Sequence, residues 1–336
     1  MLKRFPMPIP FGWYFVGYSD ELKAGEIRSV HYFGEDLVLF RTESGAAGLL
    51  EAYCPHLGAH LGDGRIDGEA LRCPFHEWAF NPAGACTDVP YAKRIPPRAA
   101  NAGCMRSYPI SEKNQVIWAW YHPHNEAPFF DVVEYEEMAS ADWSKQQRFE
   151  WKFNSHPQEI SENAVDVAHF KYIHKMEGVP EGETTIDGHQ RLTVADGERK
   201  YVDPQTGIER VVRSRVESVQ NGAGQKLARF SGVVDLVAMT LVTPIEADQC
   251  EVRMAFSHKN MPEDAPAFQA AQMTIKLICG QTGIEGDIPI WNRKIYRANP
   301  ILCDGDGQIM RYRKYFAQFY AEDFAVDTAA QSSNVS

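Results

Sequence analysis

Two short stretches, Cys54-Pro55-His56 and Cys73-Pro74-Phe75-His76, decide how this chain reads. Sixteen residues separate His56 from Cys73, giving the pattern C-x-H-x16-C-x2-H. It offers two thiolates and two imidazoles. A [2Fe–2S] centre with two Cys on one iron and two His on the other needs that set. Neutral imidazoles in place of two anionic thiolates make such a cluster accept an electron more readily than an all-Cys one. Gly58, Gly62 and Gly64 follow the first pair, where backbone has to fold closely around a cluster. A structural zinc site uses the same ligand types, but zinc modules pair Cys with Cys at one end and His with His at the other. Here each loop runs Cys then His, with a proline after each Cys, so the cluster is the reading adopted.

Working outward, the 336 residues are enough for two domains with cores of their own. Apolar residues make up 44% and charged residues 24%, an ordinary globular balance. No stretch approaches the roughly 20 apolar residues of a membrane span. The start, Met-Leu-Lys-Arg-Phe-Pro-Met-Pro, lacks the apolar core of a signal peptide. Of seven cysteines two are committed to the cluster, and the odd remainder fits a reducing cytoplasm better than a disulfide framework. A net charge of −11 argues against non-specific nucleic-acid binding. An acidic electron-donor protein would need a local basic patch, and Arg65, Lys93, Arg94 and Arg98 lie near the cluster loops in sequence.

Residues 11–53 read as short β-rich runs: 12–16, 27–33, 37–41 and 49–52. Asn81-Pro82-Ala83-Gly84 reads as a turn and Val116 to Tyr121 as a further strand. A small all-β domain is therefore expected over residues 10–122. His122-Pro123-His124-Asn125-Glu126-Ala127-Pro128 reads as a linker with solvent-exposed histidines. In residues 123–336 an alternating strand, 148–154, precedes a helical stretch from Glu159 to His174. Strands are expected at 211–219, 227–232, 237–243 and 251–257, and helices at 268–279 and 310–324. That is an α+β domain, an antiparallel sheet with helices gathered on it. The tail from Thr328 to Ser336 is small and polar and is expected to fray.

The helical stretch carries Glu162, Asn163, Asp166, His169 and His174. Five residues advance a helix by about 500°, leaving His169 and His174 roughly 140° apart. The helix must bulge or end between them if both bind one ion. Glu162, Asp166 and His169 share a face on a straight helix, and a carboxylate one turn before a ligating His suits an outer supporting role.

The paired loops resemble those of Rieske non-haem iron oxygenases. Ala59 and Phe75 stand where respiratory-type Rieske proteins carry an extra Cys pair, which favours the oxygenase type. The stretch 163–174 is similar to the N-x-x-D-x-x-H-x4-H motif of the oxygenase α subunits, whose His bind mononuclear iron. Gly283-Ile-Glu-Gly-Asp287-Ile-Pro-Ile-Trp291 resembles their later acidic segment and points to Asp287 as third ligand, with Asp304 and Asp306 as rivals that read as turn residues. Pro289 and the flanking glycines are unusual for a helix interior. Cys54 to Gly62, Val89-Pro90-Tyr91 and Phe316 to Tyr320 add likeness to the steroid-acting members, of 3-ketosteroid 9α-hydroxylase and cholesterol 7-desaturase type.

The resemblance implies an N-terminal Rieske domain and a helix-grip, START-like catalytic domain. It also implies a [2Fe–2S] cluster on Cys54, His56, Cys73 and His76, Fe(II) on His169, His174 and Asp287, and O2 as co-substrate. Asp166 would bridge His169 electronically to His76 of the partner subunit in a homotrimer, and Asn163 would support the iron site. Electrons would come from NAD(P)H through a reductase or ferredoxin to an apolar, steroid-like substrate. The alternatives are a small aromatic acid as substrate, hydroxylated or O/N-demethylated, and a simple Rieske electron carrier. The carrier reading leaves the second half of the chain unused.

Overall fold

The computed structural model describes residues 4–100, 103–175, 182–202, 206–232 and 234–321. The chain forms two compact units, residues 11–134 and residues 135 onward together with the segment before residue 11.

The first unit is built of short antiparallel strands: β1 Gly12–Tyr18, β2 Ile27–Tyr32, β3 Glu35–Arg41, β4 Ala47–Glu51, β5 Arg65–Asp67, β6 Ala70–Arg72, β7 Ala79–Phe80 and β8 Cys86–Asp88. A one-turn helix α1, Pro97–Ala100, precedes β9 Ile110–Lys113 and β10 Val116–Tyr121. They pair as β1-β10-β9, β2-β3-β4 and β5-β6-β7-β8. β10, Val-Ile-Trp-Ala-Trp-Tyr, is buried at every position and lies between its two partners. Its β-branched and aromatic residues suit a strand with apolar neighbours on both faces. Val38, Phe40, Leu50, Leu61, Leu71 and Phe80 form a core that also takes in Cys54 and Cys73. The Asn81 turn forms as expected, with Gly84 N–H donating to Asn81 O at 2.9 Å. His122 differs from expectation. It is buried, its ring 4.9 Å from that of Phe11, because the chain leaving β10 stays packed on aromatic side chains before it reaches the surface.

The second unit contains β11 Gln147–Phe153, α2 Pro157–Glu162, α3 Val167–Tyr172, β12 Gly182–Asp187, β13 Gln190–Val202, β14 Glu209–Asn221, β15 Gln225–Ser231, β16 Leu236–Glu246 and β17 Gln249–His258. Then come α4 Pro266–Cys279, α5 Ile284–Trp291 and α6 Ile309–Phe316. One seven-stranded sheet has the order β11-β17-β16-β15-β14-β13-β12, antiparallel throughout. Strands β12 to β17 meander, and β11 closes beside β17. α4 and α5 pack on one face of the sheet. Ala271, Ile275 and Cys279 of α4 meet Leu236, Ala238 and Phe256. Ile284 and Trp291 of α5 meet Val242, Val252 and Phe153. The expected tail, and the end of the last helix beyond residue 321, lie outside the described residues.

The stretch Glu159 to His174 is not one helix. It breaks after Glu162, and Asp166 starts a second helix as its N-cap, the Asp166 carboxylate accepting the His169 N–H at 3.3 Å. Capping an orphan N–H with its own side chain is the ordinary preference of Asp at a helix start, and here it outweighs continuing the first helix. The first helix is capped by an imidazole. His156 Nδ1 accepts the Gln158 N–H at 3.2 Å, so its Nε2 carries the proton and donates to Pro8 O at 3.1 Å. Burial pushes the His156 imidazolium down to about 4, from 6.5. An unfolded chain takes up this proton near its ordinary value, the folded one only near 4. The contribution to stability is therefore whole above pH 6.5 and is lost as pH falls from there toward 4. Urea unfolding should find the protein about 2 kcal/mol less stable at pH 5 than at pH 8 from this group alone. His156→Asn should flatten that part of the profile, and an unchanged slope would rule the assignment out.

Candidate metal centres

The two cluster loops repeat one backbone design. Gly58 N–H donates to Cys54 O at 2.9 Å and Glu77 N–H to Cys73 O at 3.1 Å. Cys54 N–H donates to Ala59 O and Cys73 N–H to Trp78 O, both at 2.9 Å. The fifth residue of each loop is left-handed, Gly58 at φ 76° and Glu77 at φ 59°. Glycine takes that conformation freely, whereas a side chain there costs about 1 kcal/mol or more. Glu77 occupies it with its carboxylate 2.6 Å from Arg65 Nη2.

Cys54 and Cys73 are buried, and burial with the second thiol alongside raises the Cys54 thiol. His56 and His76 are half-buried, their ring centroids 4.8 Å apart. His56 stacks on Trp78 at 4.6 Å, and Trp78 Nε1 donates to Tyr91 OH at 2.8 Å. His76 Nδ1 is a buried nitrogen with no hydrogen-bond partner among the described residues. Thiols inside, imidazoles toward the surface and an unclaimed imidazole nitrogen fit a cluster whose inner iron takes the sulfurs and outer iron the nitrogens.

The second centre lies where α3 ends. Ile173 N–H and His174 N–H both donate to His169 O, at 2.7 and 3.4 Å, so the helix loosens by one residue as it stops. That brings the two rings to 4.8 Å between centroids, the bulge or end that their spacing requires. The His169 Nδ1–H is held by the main-chain carbonyl of Asp166. The Asp166 carboxylate lies 4.0 Å from the same nitrogen, with the side chain 39% exposed.

Asp287 comes from α5, which is helical through Pro289. A Cβ at Gly286 would lie 2.4 Å from Gln281 O and 3.2 Å from Ile173 Cγ2, so glycine there lets α5 close against the segment bearing His174. Asp287 Oδ2 stands 3.4 Å from His174 Nε2, and one ligand atom from each of His169, His174 and Asp287 lies within 4.8 Å of the others. Burial pushes Asp287 up to about 7, a hydrogen bond from Asn163 draws it down, and the charge of Asp166 raises it. Burial, then the charge of His169, lowers His174. A buried carboxylate facing two imidazoles, with His174 Nδ1 lacking a partner among the described residues, fits the donor set of a 2-His-1-carboxylate iron site. Asp304 and Asp306 lie elsewhere, in a turn where Asp306 accepts the Cys303 N–H at 2.7 Å.

Sequence reasoning missed the ion pairs that hold α2. Arg313 on α6 grips Glu162 through two nitrogens at 2.7 and 2.9 Å, and Lys294 reaches Glu159 at 2.6 Å. They lie far along the chain from their partners, so no local spacing announces them.

Two candidate ligand sets, one on a unit of short antiparallel strands and one between helices over an antiparallel sheet, fit a Rieske-type oxygenase. Residues 12–109 match the Rieske [2Fe-2S] domain family, and residues 119–320 the 3-ketosteroid 9alpha-hydroxylase C-terminal domain family. The chain belongs to the latter family, as a terminal oxygenase component. A 3-ketosteroid-9-alpha-monooxygenase oxygenase component of Rhodococcus rhodochrous is 30% identical, over 93% of this chain and 81% of its own. The cholesterol 7-desaturase of Caenorhabditis elegans is 31% identical, over 95% and 78%. Among solved structures, apo dicamba monooxygenase superposes with a TM-score of 0.71, covering 96% of this chain and 98% of its own. At 18% identity that likeness carries the fold alone. No helix among the described residues is long and apolar enough to cross a membrane.

Proposed function

We propose that this oxygenase component hydroxylates or desaturates a steroid- or sterol-like substrate. O2 is the co-substrate, and electrons arrive from NAD(P)H through a reductase or ferredoxin. Cys54, His56, Cys73 and His76 would hold the [2Fe–2S] cluster, and His169, His174 and Asp287 the mononuclear iron. When bound, these centres supply a stored electron and open coordination positions for O2 beside the substrate.

The protein's own residues do the placing. The Asp166 carbonyl fixes the His169 tautomer, leaving Nε2 for the metal. Asn163 orients the Asp287 carboxylate. The observation that carries the substrate reading is the apolar sheet face beneath α4 and α5. Trp151 and Met254 pack against both apolar cores yet stay only partly buried, as walls of a pocket do. Asp287 lies one helical turn from Ile284, which packs on that face. A rigid apolar skeleton laid there would cover the surface that Trp151 and Met254 still expose, a gain of about 25 cal/mol per Å2 of apolar surface covered.

Assembly as a homotrimer belongs to the same reading. A closed ring uses one face of each copy against a different face of the next, and Leu57, Phe75 and Tyr91 are exposed apolar residues around the cluster loops. The cytoplasm is the compartment supported by the five cysteines other than Cys54 and Cys73, none of them in a disulfide.

Holoprotein supplied with NAD(P)H and a reductase should consume NAD(P)H on addition of steroids and give an oxygenated or desaturated product. Turnover confined to small aromatic acids would replace the substrate reading with hydroxylation or O/N-demethylation of such acids. Asp287→Ala should hold about two irons per chain instead of about three, whereas Asp304→Ala should keep all of them. Iron lost with Asp304 would move the third ligand.

A further inference from the structure

A short strap, residues 4–10, belongs to the second unit although it precedes the first along the chain. Phe5 and Met7 are buried, and Pro8 O accepts the His156 Nε2–H at 3.1 Å, at the start of α2. Arg4 of the strap grips the end of α5. Its Nη2 donates to Trp291 O at 2.6 Å and to Lys294 O at 3.0 Å, and its Nε donates to Lys294 O at 3.2 Å. Nη2 also lies 3.4 Å from Asn154 O, just past β11. Further bonds close the knot. Tyr296 N–H donates to Arg4 O at 3.0 Å, and Asn154 N–H donates to Asn292 Oδ1 at 2.8 Å. Strap, strand end and helix end are tied at one point.

On its own α5 is a weak helix. It has eight residues, about two turns. Pro289 has no N–H, so the bond that would close the turn from Glu285 is missing, and Asp287 sits inside that turn. The last carbonyls of a helix lack partners within it, and a cation beside them also suits the negative end of the helix dipole. Arg4 supplies both the donors and the charge. Ile284 and Trp291 seat α5 on the sheet, but apolar contact has no direction and lets a helix slide or turn in its seat. Directional bonds at the C-terminal end prevent that.

We propose that Arg4 is a positioning residue for the mononuclear iron: its grip on the end of α5 holds Asp287 at the 3.4 Å from His174 that lets one ion use both. This rests on the ligand set His169, His174 and Asp287 proposed above. Trp291 lies one helical turn after Asp287, so a shift of the gripped carbonyl passes directly to the carboxylate. Without the grip Asp287 spends time out of reach of an ion on the two imidazoles. Affinity for the ion then falls in proportion to the competent fraction.

The test is anaerobic equilibration of holoprotein with ferrous ion buffered by a chelator, counting the iron held beyond that of the cluster. Arg4→Ala should need about 10-fold more free ferrous iron for half occupancy, the lower end of what losing a supporting partner of a metal ligand costs. Arg4→Lys puts one ammonium in place of a planar fork and should fall between Arg4→Ala and wild type. The cluster, in the other unit, should keep its absorption spectrum throughout. Arg229→Ala is the control for general loosening. It breaks the Arg229–Glu137 ion pair elsewhere in the second unit and should leave half occupancy at the wild-type value. Wild-type affinity in Arg4→Ala overturns the proposal, as does a loss in Arg229→Ala equal to that in Arg4→Ala. If Arg4→Ala fails to fold, Arg4→Lys decides, and wild-type affinity there overturns the proposal too. Wild type that holds no iron beyond the cluster overturns the ligand set itself, and this inference with it.

Discussion

His169→Ala ends oxygenation while the visible spectrum of the cluster survives. The two ligand sets lie in different compact units, residues 11–134 and residues 135 onward, so removing one imidazole leaves the other set complete. The loss should exceed about 100-fold in product formation, because removing an outer partner of a metal ligand already costs about 10- to 100-fold. Chromatographic product assay and the absorption spectrum of the same preparation check this. A variant that lost the cluster spectrum yet kept its activity would overturn the division of labour.

Asp166→Asn should separate the helix cap that this side chain forms from the bridge proposed for it. The carboxylate caps α3, and asparagine caps a helix about as well, so the local fold should stand. Alanine would remove the cap as well, costing about 1 kcal/mol and blurring the result. What asparagine lacks is the charge and a second acceptor oxygen, which a bridge between His169 and His76 of the partner subunit requires. With both metal complements and the proposed trimer intact by metal analysis and sedimentation, Asp166→Asn should lose product formation by more than about 100-fold. Single-turnover oxidation of the reduced cluster should slow in step. Transfer at the normal rate with full iron loading would leave Asp166 as a cap and nothing more.

The cluster was legible because its four ligands sit in two short loops, each closed by its own backbone bonds, so spacing alone carries the chemistry. Five of the sheet's seven strands were legible for a similar reason, since such strands declare themselves locally, whereas β12 and β13 were not expected from the sequence. The break between α2 and α3 was less so. Periodicity runs through it, and the signal against continuity is Asp166 as an N-cap, which the face-sharing argument for Glu162, Asp166 and His169 passed over. Asp287 came from likeness to a known segment, since nothing in its neighbourhood ties it to His174. Arg313 and Lys294 could not be read at all, because a partner so far along the chain leaves no pattern.

The reach from His174 to Asp287 has a further consequence. An ion held by both ties together points about 110 residues apart, and in an unfolded chain such a tie removes much of the freedom of the loop between them. Iron would then act on this domain as a removable staple. Chelation should lower the melting temperature of the second unit more than that of the first unit's core strands, and the melting point should climb with free ferrous iron by the logarithm of its concentration. Hydrogen exchange should open first around residues 166–175 and 284–291, where the staple is fastened.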